Sequence, residues 1–170
     1  MSKKNRRTTP RAPKSMRLVP GDSPVLHGVA LPELPMDDWW LLGRRMVATC
    51  LKHNGMAVAA PQVGVNIRLV ALRDGTVVLN PTIVERSGQE FGPEGCLSYP
   101  NRWFRVERPR LVHVIGIDPR DGTGISLNAE DLDARMWAHE IDHLDGLVLV
   151  NRFPEIVCGS PGVERDWQRF

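Results

Sequence analysis

No apolar run in this 170-residue chain approaches about 18 residues, so no transmembrane helix is expected. The basic start, MSKKNRRTTPRAPKSM, has no apolar segment behind it and does not read as a secretory signal. It also lacks the amphipathic face of a transit peptide. Cysteine is scarce. Cys50, Cys96 and Cys158 are too few and too scattered for a disulfide framework. That pattern points to a reducing cytoplasm, where a special cysteine serves as ligand or nucleophile. There are no internal repeats. Acidic residues are absent from positions 1–17, which hold Lys3, Lys4, Arg6, Arg7, Arg11, Lys14 and Arg17. Those seven belong to 22 basic residues, so the remainder carries 15 against 20 acidic ones beneath a net charge of only +2. Residues 1–15 are therefore expected to form a disordered, solvated basic tail, with contact to RNA or an acidic surface as the alternative reading. What remains is ordinary for one globular domain over 16–170, with 42% hydrophobic and 25% charged residues.

After a Pro- and Gly-rich lead-in, Asp37 or Asp38 is the expected cap of a helix beginning near Trp39. Trp39, Leu42, Met46 and Cys50, with Trp40 and Val47 alongside, recur at the spacing of one buried helical face. Asn54-Gly55 closes that helix, with the glycine expected in the left-handed conformation. Short β-rich runs follow at 67–72, 76–79, 82–85, 103–106 and 111–117. Asp74-Gly75, Ser87-Gly88 and Asp121-Gly122 break between them and suggest hairpins. A second helix is expected from about residue 129 to 144. Pro154, Gly159, Pro161 and Gly162 forbid a long terminal helix. The fold class is α+β, with antiparallel β-sheets packed around a central helix.

That central helix carries His139-Glu140-Ile141-Asp142-His143. Residues i and i+4 share a helical face, so both imidazoles can reach one metal ion, and Glu140 can take a proton from water beside it. The flanks, Met136-Trp137-Ala138 and Leu147–Val150, are apolar, and buried histidines beside a buried glutamate need partners. A catalytic metal also needs a third protein ligand. The candidates are Cys96, in Pro93-Glu94-Gly95-Cys96-Leu97-Ser98, or a carboxylate. Cys50 belongs to the first helix's apolar stripe, and Cys158 lies in a Gly/Pro-rich stretch without an evident role. A third cluster, Gly55-Met56-Ala57-Val58-Ala59-Ala60-Pro61-Gln62, packs small residues densely and ends on a lone glutamine.

Together these clusters resemble the peptide deformylases, which carry GxGLAAPQ, EGCLS and HExDH in this order. The resemblance spans residues 16–150. It implies a metal-dependent hydrolase that removes the formyl group from the N-terminal formylmethionine of new polypeptides, releasing formate. It implies Cys96, His139 and His143 as ligands of one divalent metal, Fe(II) in the cell, with zinc or nickel able to take its place. Glu140 is then the general base, and the Gln62 amide and Leu97 backbone N–H are the donors to the developing oxyanion. Substrate would pair with Met56 and Gly95 as an added strand, beside Gly55 and Ala57. Its methionine would enter a pocket for which Leu132 and Met136 are the lining candidates. Glu94 and Arg108 are expected as an ion pair behind the Cys96 loop.

Ala57 stands where the family motif has its second glycine, Val58 where it has leucine, and Ala138 where glutamine is usual before the first histidine. The 20 residues after Val150 cannot form the long C-terminal helix of many members, so the basic tail is the expected contact with ribosomes. The chain is expected to work as a monomer. Two rival readings differ in testable ways. A zinc peptidase would take a carboxylate as its third ligand and leave EGCLS unexplained. A metal-stabilised binding protein would need neither Glu140 nor Gln62.

Overall fold

The computed structural model describes residues 13–153 and 155–156. Most of the basic tail, Cys158 and most of the segment after Val150 lie outside the described residues.

The first helix, α1 (Asp37–Lys52), starts one step earlier than the aspartates suggest. Its N-cap is Met36, with no side-chain hydrogen bond, so Asp37 and Asp38 sit inside the first turn rather than capping it. The helix closes through Asn54, which takes the left-handed φ of 56°, and not through Gly55. Gly55 is needed for closeness instead. A Cβ there would stand 2.9 Å from Leu97 Cδ1 and 3.3 Å from Cys50 Sγ. The face of α1 expected to be buried does pack, with Met46 and Cys50 fully enclosed against Val58, Leu69, Ala71 and Leu79.

Among the described residues, eight strands form two antiparallel sheets. The larger has the order β1 (Ala57–Ala59), β2 (Leu69–Leu72), β3 (Val77–Ser87), β6 (Leu111–Ile117) and β7 (Gly124–Glu130). The smaller has the order β4 (Glu90–Cys96), β5 (Tyr99–Arg108) and β8 (Glu155–Ile156). Gly75 and Gly122, at φ 101° and 77°, turn the β2–β3 and β6–β7 hairpins as expected. Ser87-Gly88 does not join paired strands. It carries the chain from one sheet to the other. The runs at 76–79 and 82–85 are one strand, continuous through Asn80-Pro81 because a register shift absorbs them. Short β1, Gly-rich β4 and polar β7 were not expected as strands. Because β7 extends through Glu130, the central helix α2 (Asp131–Leu144) starts two residues later than anticipated.

Helix α2 packs against β1, β3, β6 and β7 on one side and touches β5 on the other, so it lies between the sheets. Ala134, Trp137, Ala138, Ile141 and Leu144 enter the core with Val70, Val78, Val112 and Val114. The α+β architecture with a central helix is borne out. Both sheets also present an outer strand beside this helix, β1 in one and β4 in the other.

Candidate active site

Three elements converge. Helix α2 supplies His139, Glu140 and His143, all buried. Strand β4 ends on Cys96, which pairs with Tyr99 across the two-residue turn Leu97–Ser98, so the thiol is fixed at the tip of a tight hairpin. A 3-10 turn over Ala60–Val63 follows β1 and carries the buried Gln62.

One ligand atom each from Cys96, His139 and His143 lies within 4.8 Å of the others. Cys96 Sγ and His143 Nε2 are 3.2 Å apart. His139 turns its Nδ1 to Glu94 Oε2 at 3.0 Å, which leaves Nε2 directed at the cluster. Burial pushes the Cys96 thiol up, but the His143 charge and hydrogen bonds from both histidines outweigh it, leaving the thiol well below its ordinary range. His139 is shifted well above its usual value: burial opposes its charge, while hydrogen bonds to Cys96 and Glu94 overcome that opposition. A thiolate and two imidazoles at this separation are a donor set suited to a divalent transition metal.

Glu140 supplies a sharper test of fit. Its Oε2 is buried and has no hydrogen-bond partner among the described residues. Burial raises its pKa, against the pull of His139 and His143. A carboxylate oxygen without a protein partner is costly unless a water or ion meets it, and the cluster beside it is where one would sit. His143 Nδ1 is similarly buried and without a partner among the described residues. The residues therefore fit a metal with an attendant water.

Gln62 is held by both ends. Its Oε1 accepts from the Ala59 N–H at 2.8 Å, so its amide nitrogen faces Cys96 Sγ and Ser98 Oγ, each at 3.4 Å. Glu94 forms the expected pair with Arg108, bidentate at 2.8 and 3.0 Å. The pair is part of a larger network. Arg108 also donates to Asp142 at 2.6 Å, and Arg135 donates to Glu94 at 3.2 Å. Arg135 further ties α2 to the carbonyls of Glu90, Gly92 and Val106. Burial opposes the Glu94 charge, but hydrogen bonds from His139 and Arg108 bring its pKa down to about 2. Arg135, Asp142 and Ser98 were missed in the sequence. The one available signal was the position of Arg135, a single turn before His139 on the same helix.

The cluster opens into a cleft of about 720 Å³. Gly55, Met56, Ala57, Gln62, Gly95, Leu97, Leu132 and Met136 all line it, so the three sequence clusters meet there. Leu132 is 60% exposed at its mouth, and Met136 lies deeper, packed against the main core. Ala57 sits in regular β1 without a positive φ, so the alanine at the family's glycine position is not strained there.

Comparison with known proteins agrees with this assembly. Residues 16–157 match the polypeptide deformylase family. A peptide deformylase of Carboxydothermus hydrogenoformans is 40% identical over 139 residues, covering 79% of this chain and 90% of the relative. The crystal structure of peptide deformylase from Thermotoga maritima superposes with a TM-score of 0.78 at 30% identity, covering 82% of this chain and 98% of that one. A Met-Ala-Ser-bound class I type b peptide deformylase from Acinetobacter baumannii gives a TM-score of 0.75 at 30% identity, with 82% and 99% covered.

Proposed function

This chain belongs to the polypeptide deformylase family, and we propose that it removes the formyl group from N-formylmethionyl peptides, releasing formate and a free N-terminus. The observation that carries the reading is the partnerless, buried Glu140 Oε2 beside the Cys96–His139–His143 cluster. A metal-dependent base needs that placement, and a purely structural metal site does not.

Cys96 Sγ, His139 Nε2 and a His143 ring nitrogen would hold the metal, which when bound would supply Lewis acidity and bring the pKa of water down toward about 7. Fe(II) is the proposed resident ion, with zinc or nickel as alternates. Glu140 takes the proton of the attacking water. As the tetrahedral centre forms, the Gln62 amide and the Leu97 backbone N–H donate to its developing oxyanion, each such donor worth about 2.7–4 kcal/mol of barrier. Glu140 then returns its proton to the leaving amine. Glu94 keeps the His139 Nδ1–H engaged and so orients the ring.

The two outer strands explain how a peptide is held. Among the described residues, strand β1 pairs only with β2, and β4 only with β5, and both border the cleft. A substrate backbone bonded to Met56 and Gly95 extends these edges and leaves the downstream side chains unread. The formylmethionine side chain enters the apolar part of the cleft, between Leu132 and Met136. Gly55 and Ala57 provide the close wall. The Met-Ala-Ser peptide bound by the Acinetobacter baumannii relative is of the class this requires. A thiolate ligand needs a reducing compartment, so the cytoplasm is the proposed location. No helix among the described residues is long and apolar enough to cross a membrane. The enzyme works as a monomer, and its basic tail over 1–15 contacts the ribosome.

The decisive experiment measures formate release from formyl-Met-Ala-Ser by anaerobically purified protein, with metal analysis of the same sample. Turnover confined to the formylated peptide supports the reading. Cleavage of internal amides instead would make the chain a peptidase, and metal binding without turnover would make it a binding protein.

A further inference from the structure

The charges of this protein are segregated in a way that the active site does not use. Residues 39–73 contain no Asp or Glu but include Arg44, Arg45, Lys52, Arg68 and Arg73. Residues 1–21 are also free of acid. The fold lays the described part of this second segment, residues 13–21, on the first. The Met16 N–H donates to Thr49 Oγ1 at 2.7 Å, and Arg45 Nε reaches the Lys14 carbonyl at 3.5 Å, so the lead-in crosses the outer side of α1.

The pairing pattern makes this face unusual. Arg68, Arg108, Arg110, Arg120, Arg135 and Arg152 each have a carboxylate within salt-bridge distance. Lys14, Arg17, Arg44, Arg45, Lys52 and Arg73 have none among the described residues, and all six are exposed. They sit on α1, on the lead-in that crosses it, and at the end of β2, which packs beneath it. Arg45 and Lys52 are two turns apart, about 10 Å along the axis on one stripe. The stripe runs on to His53 and Asn54, which line the cleft mouth.

We propose that the solvent face of α1, with Lys14 and Arg17, is a docking surface for the phosphate backbone of RNA. Unpaired, exposed cations on one face are what counterion release requires. A membrane surface is the poorer fit. Firm adsorption to lipid adds a buried apolar face to the attraction of the cations, and the apolar face of α1 is spent on the protein core. Among the described side chains of α1, Leu41 and Leu51 are the exposed large apolar ones, and they stand nearly three turns apart. The choice of RNA over DNA rests on the deformylase reading, since nascent peptides are made on an RNA machine. The charge argument does not rest on it.

The test compares full-length wild type, the triple variant Arg44→Ala/Arg45→Ala/Lys52→Ala, and Arg86→Ala. Arg86 is another described cation without an ion pair, on β3 away from α1. Binding of a fluorescein-labelled single-stranded RNA is followed by anisotropy across a salt titration. The triple variant should bind at least about tenfold more weakly, with its log–log salt slope reduced by about 2, as expected for three lost contacts at about 0.7 each. Arg86→Ala should match wild type, and formate release should be equal in all three proteins, which also reports that the fold is intact. An unchanged slope in the triple variant overturns the proposal. So does tighter binding to vesicles of equimolar phosphatidylcholine and phosphatidylserine, or to duplex DNA, than to RNA. Because formate release is measured separately, failure of the docking surface and failure of the deformylase reading are distinguishable.

Discussion

Replacing Glu94 by glutamine tests whether the network behind the metal cluster orients the ligands or merely fills space. The carboxylate accepts from Arg108 Nε at 2.8 Å, Arg108 Nη2 at 3.0 Å, Arg135 Nη1 at 3.2 Å and His139 Nδ1 at 3.0 Å. Glutamine keeps the shape, removes the charge, and turns an N–H₂ group toward donors that cannot accept it. Breaking a buried ion pair from one side costs about 3–5 kcal/mol. The lower end applies, because Arg108 keeps Asp142 at 2.6 Å and Arg135 keeps the carbonyls of Glu90, Gly92 and Val106. A loss of about 3 kcal/mol in a chain of this size lowers Tm by about 6–12 °C. If His139 is a metal ligand as proposed, losing its partner should also weaken metal binding by about 10–100-fold. Calorimetry of the metal-loaded protein reads the first effect, and competition with a chelating dye reads the second. A Tm within about 2 °C of wild type, together with unchanged metal affinity, would refute the reasoning and leave Glu94 as packing.

Three further outcomes are expected. Glu140→Gln should retain stoichiometric metal while kcat falls by about 10²–10⁴-fold, since the amide accepts no proton; normal turnover removes Glu140 from the mechanism. Cys50, fully enclosed in the core, has its thiol raised to about 11, chiefly by burial and then by the Glu140 charge. The unfolded chain releases that proton first, so stability should decline as pH rises from about 9 toward 11. Cys50→Ala should flatten that part of the denaturation profile, and an equally steep decline without the thiol would assign it elsewhere. Ala57→Gly should lower KM for formyl-Met peptides by widening the cleft and should cost about 0.5–1 kcal/mol of stability, as glycine does in a strand. A higher Tm with unchanged KM would instead mean that alanine is strained there.

The metal cluster was legible in the chain because its determinants are local. Two histidines at i and i+4 share a helical face whatever surrounds them, and Met136-Trp137-Ala138 shows that this face is buried. Cys96 was one of two kinds of candidate until the likeness of EGCLS and GMAVAAPQ to a known family singled it out. The cleft was less legible, since its walls are strand edges made by pairing over long separations. Strand β4 contains Gly92, Pro93 and Gly95, which read as a turn. Yet an edge strand tolerates proline because one side of it needs no ladder partner. Strand β1 is three residues long and contains two alanines, too short for any period to show. Nothing near Ser87-Gly88 signals a change of sheet, so the meeting of β1 and β4 across α2 follows only from the assembled topology. Arg135 illustrates the same limit. Read on the helix alone it is an ordinary solvated cation, and only β4 and β5, more than 25 residues upstream, supply the three carbonyls and the carboxylate that make its burial affordable. Chemistry carried by neighbouring residues on one helix could thus be read from spacing, while the width of the cleft could not. That is why Ala57, a single methyl on one of the two edges, is where this chain's substrate fit should depart from that of relatives with glycine there.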